Sequence, residues 1–441
     1  MKMKRLAIFL IVLIFLAGVI FLAWRRPSIA GIQRRVDKVI GTAVAFASPP
    51  KADPTIQIAP VPFDLTIIDP DISGDVKLVG DIDGDGFPDL IIGGITNEKL
   101  NWYHYPDWQK TVIATPNNEF TTDGRLGDVN GDGSLDIVVP DGDGQDNLVW
   151  FENPRPSGDP FDGAAWTRHT IGTVGSWGKD VHVSDFDDNG LLDVATRRDT
   201  AVMVFFQMAP DSWTKMEFTN VDTGHEGMTS GDVDKDTHDD LVVQGQWVRN
   251  PGGDAARNPA NWTPYDIGPA NSDFKALVVD LNKDGHMDVL FSSSENTADV
   301  NWWSADGGDP TGTWTKHTIV ASLERCHTLQ AADMDNDGDM DVITAEIVHW
   351  HIGQSADPSE LLLNDGAGSF TRPDAAEIGL KREWDITTWN EGDLYIAFAD
   401  LDADGWKDIV LASSDYEDTR LFTWRQVSPG QFQEIGGTIG L

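Results

Sequence analysis

Asp81-Ile82-Asp83-Gly84-Asp85-Gly86-Phe87-Pro88-Asp89 places carboxylates at its first, third, fifth and ninth positions and a glycine at its sixth. The phrase recurs from Asp128, Asp185, Asp232, Asp280, Asp333 and Asp400, which gives the frame D-x-[DN]-x-[DN]-G-x-x-D. Position three is Asp83, Asn130, Asp187, Asp234, Asn282, Asp335 and Asp402. Position five is Asp85, Asp132, Asn189, Asp236, Asp284, Asp337 and Asp404. Position nine is Asp89, Asp136, Asp193, Asp240, Asp288, Asp341 and Asp408. Carboxylates this crowded repel one another unless a cation sits between them. Oxygen ligands in a short, irregular loop suit Ca²⁺ better than Mg²⁺, which demands a near-ideal octahedron.

The spacing has a mechanical reading. Residues one, three and five of a tight loop point to one side, and glycine at six supplies the positive φ that turns the chain back. One such loop is adequately explained as a solvated acidic turn. Repetition in one frame favours metal, with up to seven Ca²⁺ ions expected. The copy at Asp232 departs from the frame, because Thr237 replaces the glycine and Lys235 and His238 crowd in. It is expected to be weak or empty.

The repeat also organises the chain. First aspartates lie 47, 57, 47, 48, 53 and 67 residues apart, the length of a propeller blade. A short apolar strand enters each loop and another leaves it, as in Leu90-Ile91-Ile92 and Ile137-Val138-Val139. An aromatic third strand follows, such as Asn101-Trp102-Tyr103 or Leu148-Val149-Trp150-Phe151. The fourth opens on Trp-Thr at Trp166, Trp213, Trp262 and Trp314. Four antiparallel strands per loop predict an all-β fold, a seven-bladed β-propeller over residues 56–441. Phe63 to Ile68 reads as a spare fourth strand that closes the ring against the last blade, in competition with the tail from Gln431. The tryptophans read as packing between blades, with sugar stacking as the alternative.

The loops resemble the FG-GAP/VCBS repeat family, the calcium-loop propeller repeats also found in integrin alpha-subunit heads. The likeness covers roughly residues 60–441 and implies the propeller fold and Ca²⁺. It leaves function open, since this architecture serves adhesion, carbohydrate binding and sugar-degrading chemistry.

Of 441 residues, 32 are basic and 72 acidic, for a formal charge of −40, and 28 of the acidic residues lie inside the loops. That balance argues against nucleic acid as a partner. The single cysteine, Cys326, excludes an internal disulfide. Lys2, Lys4 and Arg5 precede an uncharged run from Leu6 to Trp24, so residues 1–24 read as a signal peptide or an uncleaved signal-anchor helix. An uncleaved helix would make the membrane a partner. Residues 25–55, with Pro27, Pro49, Pro50 and Pro54, read as a linker. The body is expected outside the cytoplasm, at a cell surface or in a periplasm, as a monomer.

A second set of residues falls at the propeller end opposite the loops. Lys77, Arg125, Lys179, His182, His225, Glu226, Lys275, Arg325 and His327 precede the loops. Arg197, Gln244, Gln246, Glu295, Glu346, His349, His351 and Asp415 follow them. A basic, His-rich axial mouth in so acidic a chain suits an anionic glycan. His225, Glu226, Lys275, Arg325, His327 and Glu346 form the catalytic candidate set. His or Lys would take a proton α to a carboxyl group while Arg steadies the developing charge. His327 and Glu346 share a blade end and with other histidines offer a transition-metal site. Lys77, Arg125, Lys179, His182, Arg197, Gln244 and His349 form the ligand-binding set. The plain alternative is a polar channel lining with each histidine paired to neighbours. The primary expectation is therefore a calcium-dependent propeller that binds a glycan or a surface protein on the face opposite its loops. A sugar-acting enzyme, a polysaccharide lyase or dehydratase, is the second reading, and a structural surface scaffold the third.

Overall fold

In the computed structural model every loop of the repeat sits between the first and second strands of a four-stranded antiparallel sheet. The structure describes residues 63–69, 72, 74, 76–94, 100–114, 120, 123–141, 147–175, 178–219, 221, 224, 226–268, 273–323, 325–346, 360–373, 394–413 and 421–426. All belong to one unit, Ile58–Leu441.

Six sheets are built from four consecutive strands each. Blades I to VI begin with Val76–Gly80, Arg125–Gly127, Lys179–Ser184, Met228–Gly231, Phe274–Val279 and Cys326–Ala332. The expectation of seven blades, each of four successive strands, is corrected here: the chain completes six. Among the described residues after the Asp400 loop, only Asp408–Ser413 and Leu421–Gln426 join Leu394–Ala399, which leaves a three-stranded remainder with an open outer edge. Phe63–Asp69 covers that edge, antiparallel to Leu421–Gln426 with Phe63 opposite Gln426, and makes a composite closing sheet from distant parts of the chain. An unpaired edge would template aggregation, and this pairing removes it. First strands touch one another in cyclic order, from blade I through blade VI to the closing sheet and back to blade I, so they line the axis.

The core lies between blades. Ile91 and Trp102 of blade I pack with Ile137, Val139 and Phe151 of blade II. Second strands are buried on both faces, which explains their unbroken apolar runs. Trp102, Trp150, Trp247 and Trp262 are almost wholly buried, in keeping with packing rather than sugar stacking. Cross-strand neighbours sit against the third-strand indoles: His169 stacks on Trp150 at 4.2 Å, Tyr265 on Trp247 at 4.8 Å and His317 on Trp302 at 4.0 Å. Three of the tryptophans that open fourth strands, Trp166, Trp262 and Trp314, pin the preceding turn. Trp166 and Trp262 donate through Nε1 to the carbonyls of Pro160 (3.0 Å) and Ala256 (2.7 Å).

The expected N-terminal hydrophobic helix lies outside the described residues. Among those described the only helices are 3₁₀ turns, and none is long and apolar enough to cross a membrane.

Candidate metal centres and the opposite face

Hydrogen bonds to backbone amides shape each loop. The position-one aspartate accepts from the amide of position six: Gly86 to Asp81 (3.1 Å), Gly190 to Asp185 (2.9 Å), Gly285 to Asp280 (3.0 Å). Position six has positive φ in every copy, from +82° to +98°, including +82° at Thr237. Position four is left-handed as well: Gly84, Gly131, Asp188, Lys235, Lys283, Asn336 and Ala403 all have φ between +54° and +77°. The variety of residue types at position four hid this second reversal from the sequence.

The ninth aspartate is buried in all seven loops. In blade I, Asp89 Oδ2 accepts from the Ile82 amide (3.1 Å) and Oδ1 from the Tyr105 amide beyond the third strand (2.8 Å). Asp136, Asp240, Asp341 and Asp408 repeat the pair. This residue therefore ties its loop to the third strand of its own blade as well as facing the cluster. Burial pushes these carboxyls up, to about 6 at Asp89, about 7 at Asp136, Asp240, Asp288 and Asp408, and about 8 at Asp193 and Asp341.

The donor set fits a hard cation. Carboxylate oxygens of Asp81, Asp83 and Asp89 lie within 4.8 Å of one another, as do those of Asp185, Asp187 and Asp193 and of Asp333, Asp335 and Asp341. Both oxygens of Asp335, Asp193 Oδ2 and Asp280 Oδ1 are buried without a hydrogen-bond partner. A buried carboxylate oxygen left unpaired is costly, and a cation among such oxygens removes that cost. Positions one, three, five and nine would hold it.

Loops differ at one neighbouring position, the residue that ends or nearly ends the third strand. In blade I it is His104, whose Nε2 lies 3.2 Å from Asp83 Oδ2 while Nδ1 meets Asp107 at 2.8 Å. In blade II it is Glu152, which accepts from Asn130 Nδ2 at 3.3 Å. In blade IV it is Arg249, with Nε 2.7 Å from Asp234 Oδ2 and Nη2 2.9 Å from Asp236 Oδ2. The residues blamed for this loop in the sequence turn elsewhere. Lys235 Nζ donates to the Gly285 carbonyl of the next loop (2.5 Å), and His238 Nδ1 lies 3.0 Å from Asp188 of the preceding one. In the third loop Arg257, from the turn after blade IV's third strand, donates through Nε to Asp187 Oδ2 (2.5 Å).

At the opposite face, the described members of the axial set are mostly held by their neighbours. Arg197 is fully buried and donates to the carbonyls of Gly227 (2.9 Å) and Gly224 (3.1 Å). His182 Nε2 is 3.1 Å from the Met228 carbonyl, and burial together with the Arg125 charge pushes its pKa down to about 4. Arg125 contacts Asp123 at 2.5 Å, Lys179 contacts Asp199 at 3.0 Å, and Lys275 stands 3.9 Å from Glu226. Gln246 donates to Asp266 (3.1 Å). Asp180, absent from the sequence-derived set, accepts from the Gly227 amide (2.9 Å). Blades II to V are thus stitched by polar contacts at this end. Lys77, Gln244, Glu295 and Arg325 lie at the same end. Cys326 pairs with Glu346, so the strands carrying His327 and Glu346 are adjacent. Their side chains, and all of His225, His349, His351 and Asp415, lie outside the described residues.

A groove that the sequence did not single out runs between the outer strands of blades II and III. Ile171 to Gly175 form one wall and Arg198, Phe205, Trp213 and Lys215 the other. Trp213 is half-buried there. Lys215 Nζ lies over the Phe205 ring (5.9 Å), donates to the Thr173 carbonyl (3.2 Å) and pairs with Glu217 (3.2 Å). Arg198 meets the same Glu217 at 3.5 Å.

A family model described as FG-GAP-like repeat matches residues 81–139 and 280–344. These stretches are FG-GAP-like repeats, as the loop resemblance implied, and they hold the first, second, fifth and sixth loops. No curated protein matches the chain. Among solved structures it is similar to an Agrocybe aegerita lectin described as recognising non-reducing terminal N-acetylglucosamine. Identity is 14%, 81% of this chain and 86% of the lectin are covered, and the TM-score is 0.47. It is also similar to the V. cholerae biofilm matrix protein Bap1 (10% identity, 84% and 92% covered, TM-score 0.42). YCF48 from Cyanidioschyzon merolae matches at 12% identity, with 82% and 98% covered and a TM-score of 0.46.

Proposed function

We propose that this FG-GAP-repeat propeller is an exported binding module, rigidified by Ca²⁺ in most of its loops, that takes an acidic glycan in the groove between blades II and III. The groove carries the reading. It offers the indole of Trp213 beside two cationic groups, Lys215 and Arg198, in a chain whose net charge is −40. An aromatic face packs against sugar C–H groups, and a fixed cation pair meets a carboxylate or sulfate. Glu217 orients both cations and leaves their remaining donors for a ligand. The groove reaches the face opposite the loops, since Arg198 and Thr173 end strands that run away from them. Export is supported by the uncharged Leu6 to Trp24 run, and by the higher free Ca²⁺ outside the cytosol that loops of modest affinity need.

The test is titration calorimetry of the full chain in Ca²⁺ with polygalacturonate fragments and with an uncharged polysaccharide. The same mixtures are followed for unsaturated or shortened products. Saturable binding of the acidic fragments, lost in Trp213→Ala and weakened in Lys215→Ala, supports the reading. Equal binding of both polymers, or of wild type and Trp213→Ala, overturns it. Products that persist in Trp213→Ala would make the protein an enzyme centred elsewhere.

A further inference from the structure

The fourth loop also gathers three carboxylates, Asp232, Asp234 and Asp236 within 4.8 Å of one another, at positions one, three and five where the first, third and sixth loops gather positions one, three and nine. It nevertheless differs in what faces them. The Arg249 guanidinium lies 2.7 Å from Asp234 and 2.9 Å from Asp236, so it covers an oxygen of position three and an oxygen of position five. Among the three, only Asp232 retains a buried oxygen without a partner. A guanidinium is planar, permanently charged and able to meet two carboxylates at once. We infer that Arg249 serves as the built-in counter-ion of the fourth loop and excludes a divalent cation from it. This rests on the proposed Ca²⁺ reading of the other loops.

The loss of glycine does not explain the difference. Thr237 holds φ at +82°, close to the +87° of Gly285 and +88° of Gly338, and its amide still donates to Asp232 at 2.9 Å. The backbone cradle is therefore built in the fourth loop as in the others. Among the described side chains, what changes is the residue at the end of the third strand, where blade V has Ser304 and blade VI has Leu363; the closing sheet has Arg425 there, with its side chain outside the described residues. Arg257 in the third loop is a lesser case. Of the loop carboxylates it reaches Asp187 alone, its other ion pair being with Asp254, and Asp185 and Asp193 complete that cluster without it.

The experiment counts Ca²⁺ bound per chain by equilibrium dialysis for the full-length wild type, Arg249→Ser, Arg249→Gln and Thr237→Gly, each checked for native circular dichroism. The expected result is one additional Ca²⁺ in both Arg249 variants and none in Thr237→Gly. An unchanged count in both Arg249 variants, or a gain in Thr237→Gly alone, overturns the inference. The Ca²⁺ reading fails separately. If wild type binds none while an Arg249 variant binds one, the other loops are not calcium sites and Arg249 is still the excluding group. If no protein binds any, both readings fall.

Discussion

Asn250, at the end of blade IV's third strand, donates through Nδ2 to the carbonyl oxygen of Phe186 in blade III's loop (2.8 Å). The contact is one instance of a repeated clamp. Asn153 reaches Ile82 (2.9 Å), Asn364 reaches Leu281 (2.8 Å) and Gln426 reaches Met334 (2.5 Å), each crossing to position two of the loop one blade earlier. Four of the acidic loops are therefore fixed to the next blade as well as to their own.

Asn250→Ala should leave the buried Phe186 carbonyl and the half-buried Asp239 carbonyl without this donor and free the Gly252 amide, which donates to Asn250 Oδ1. A loss of roughly 1–3 kcal/mol is expected in chemical denaturation. A change below about 0.5 kcal/mol would mean that water replaces the clamp.

Thr237 is a β-branched residue held at a φ that glycine takes in the other loops. Thr237→Gly should relieve strain of order 1 kcal/mol, net of glycine's greater freedom in the unfolded chain. The check is the denaturation midpoint, which should move upward even though calcium binding does not change.

His182 is buried against the Met228 carbonyl, with Arg125 and Asp123 as the charges nearest it, and its folded pKa is pushed down to about 4. A histidine whose folded pKa lies below its unfolded value stays neutral in the fold while the unfolded chain takes up a proton. Its contribution is intact above pH 6.5 and is lost as pH falls towards 4, reaching roughly 3 kcal/mol. His182→Gln should therefore flatten the stability profile between those limits relative to wild type at constant Ca²⁺. Parallel profiles would contradict the assignment.

Asp335 has both carboxylate oxygens buried without a partner, and burial raises its pKa to about 6. In excess chelator, Asp335→Asn should match or exceed wild-type stability, because an unpaired charge is removed. In Ca²⁺ the order should reverse. A variant that is weaker under both conditions would mark Asp335 as purely structural.

Much of this was legible in the repeat itself. The frame located the loops, the apolar runs around them gave the first and second strands, and Phe63 to Ile68 was readable as a closing strand. The number of complete blades was not, because a loop marks where a blade begins and says nothing of where its fourth strand comes from. The clamps were hidden by distance: Asn250 and Phe186 lie 64 residues apart, and in the sequence Asn250-Pro251 reads only as a turn. Arg249 was missed for a related reason. It lies 13 residues beyond Asp236 and meets it only once the third strand folds back. The described axial residues lie at the end opposite the loops, but residue type alone could not reveal that Arg197 and His182 spend their polar atoms on the next blade.

The central claim is that a cation completes the carboxylate loops. Thermal unfolding of the full chain in excess Ca²⁺ and in excess chelator tests it most directly. Each occupied loop adds about 2.7 kcal/mol when free Ca²⁺ is one hundred times its dissociation constant, so the melting temperature should rise strongly and titrate with Ca²⁺. Superimposable melting curves would contradict the account and leave the loops as acidic turns.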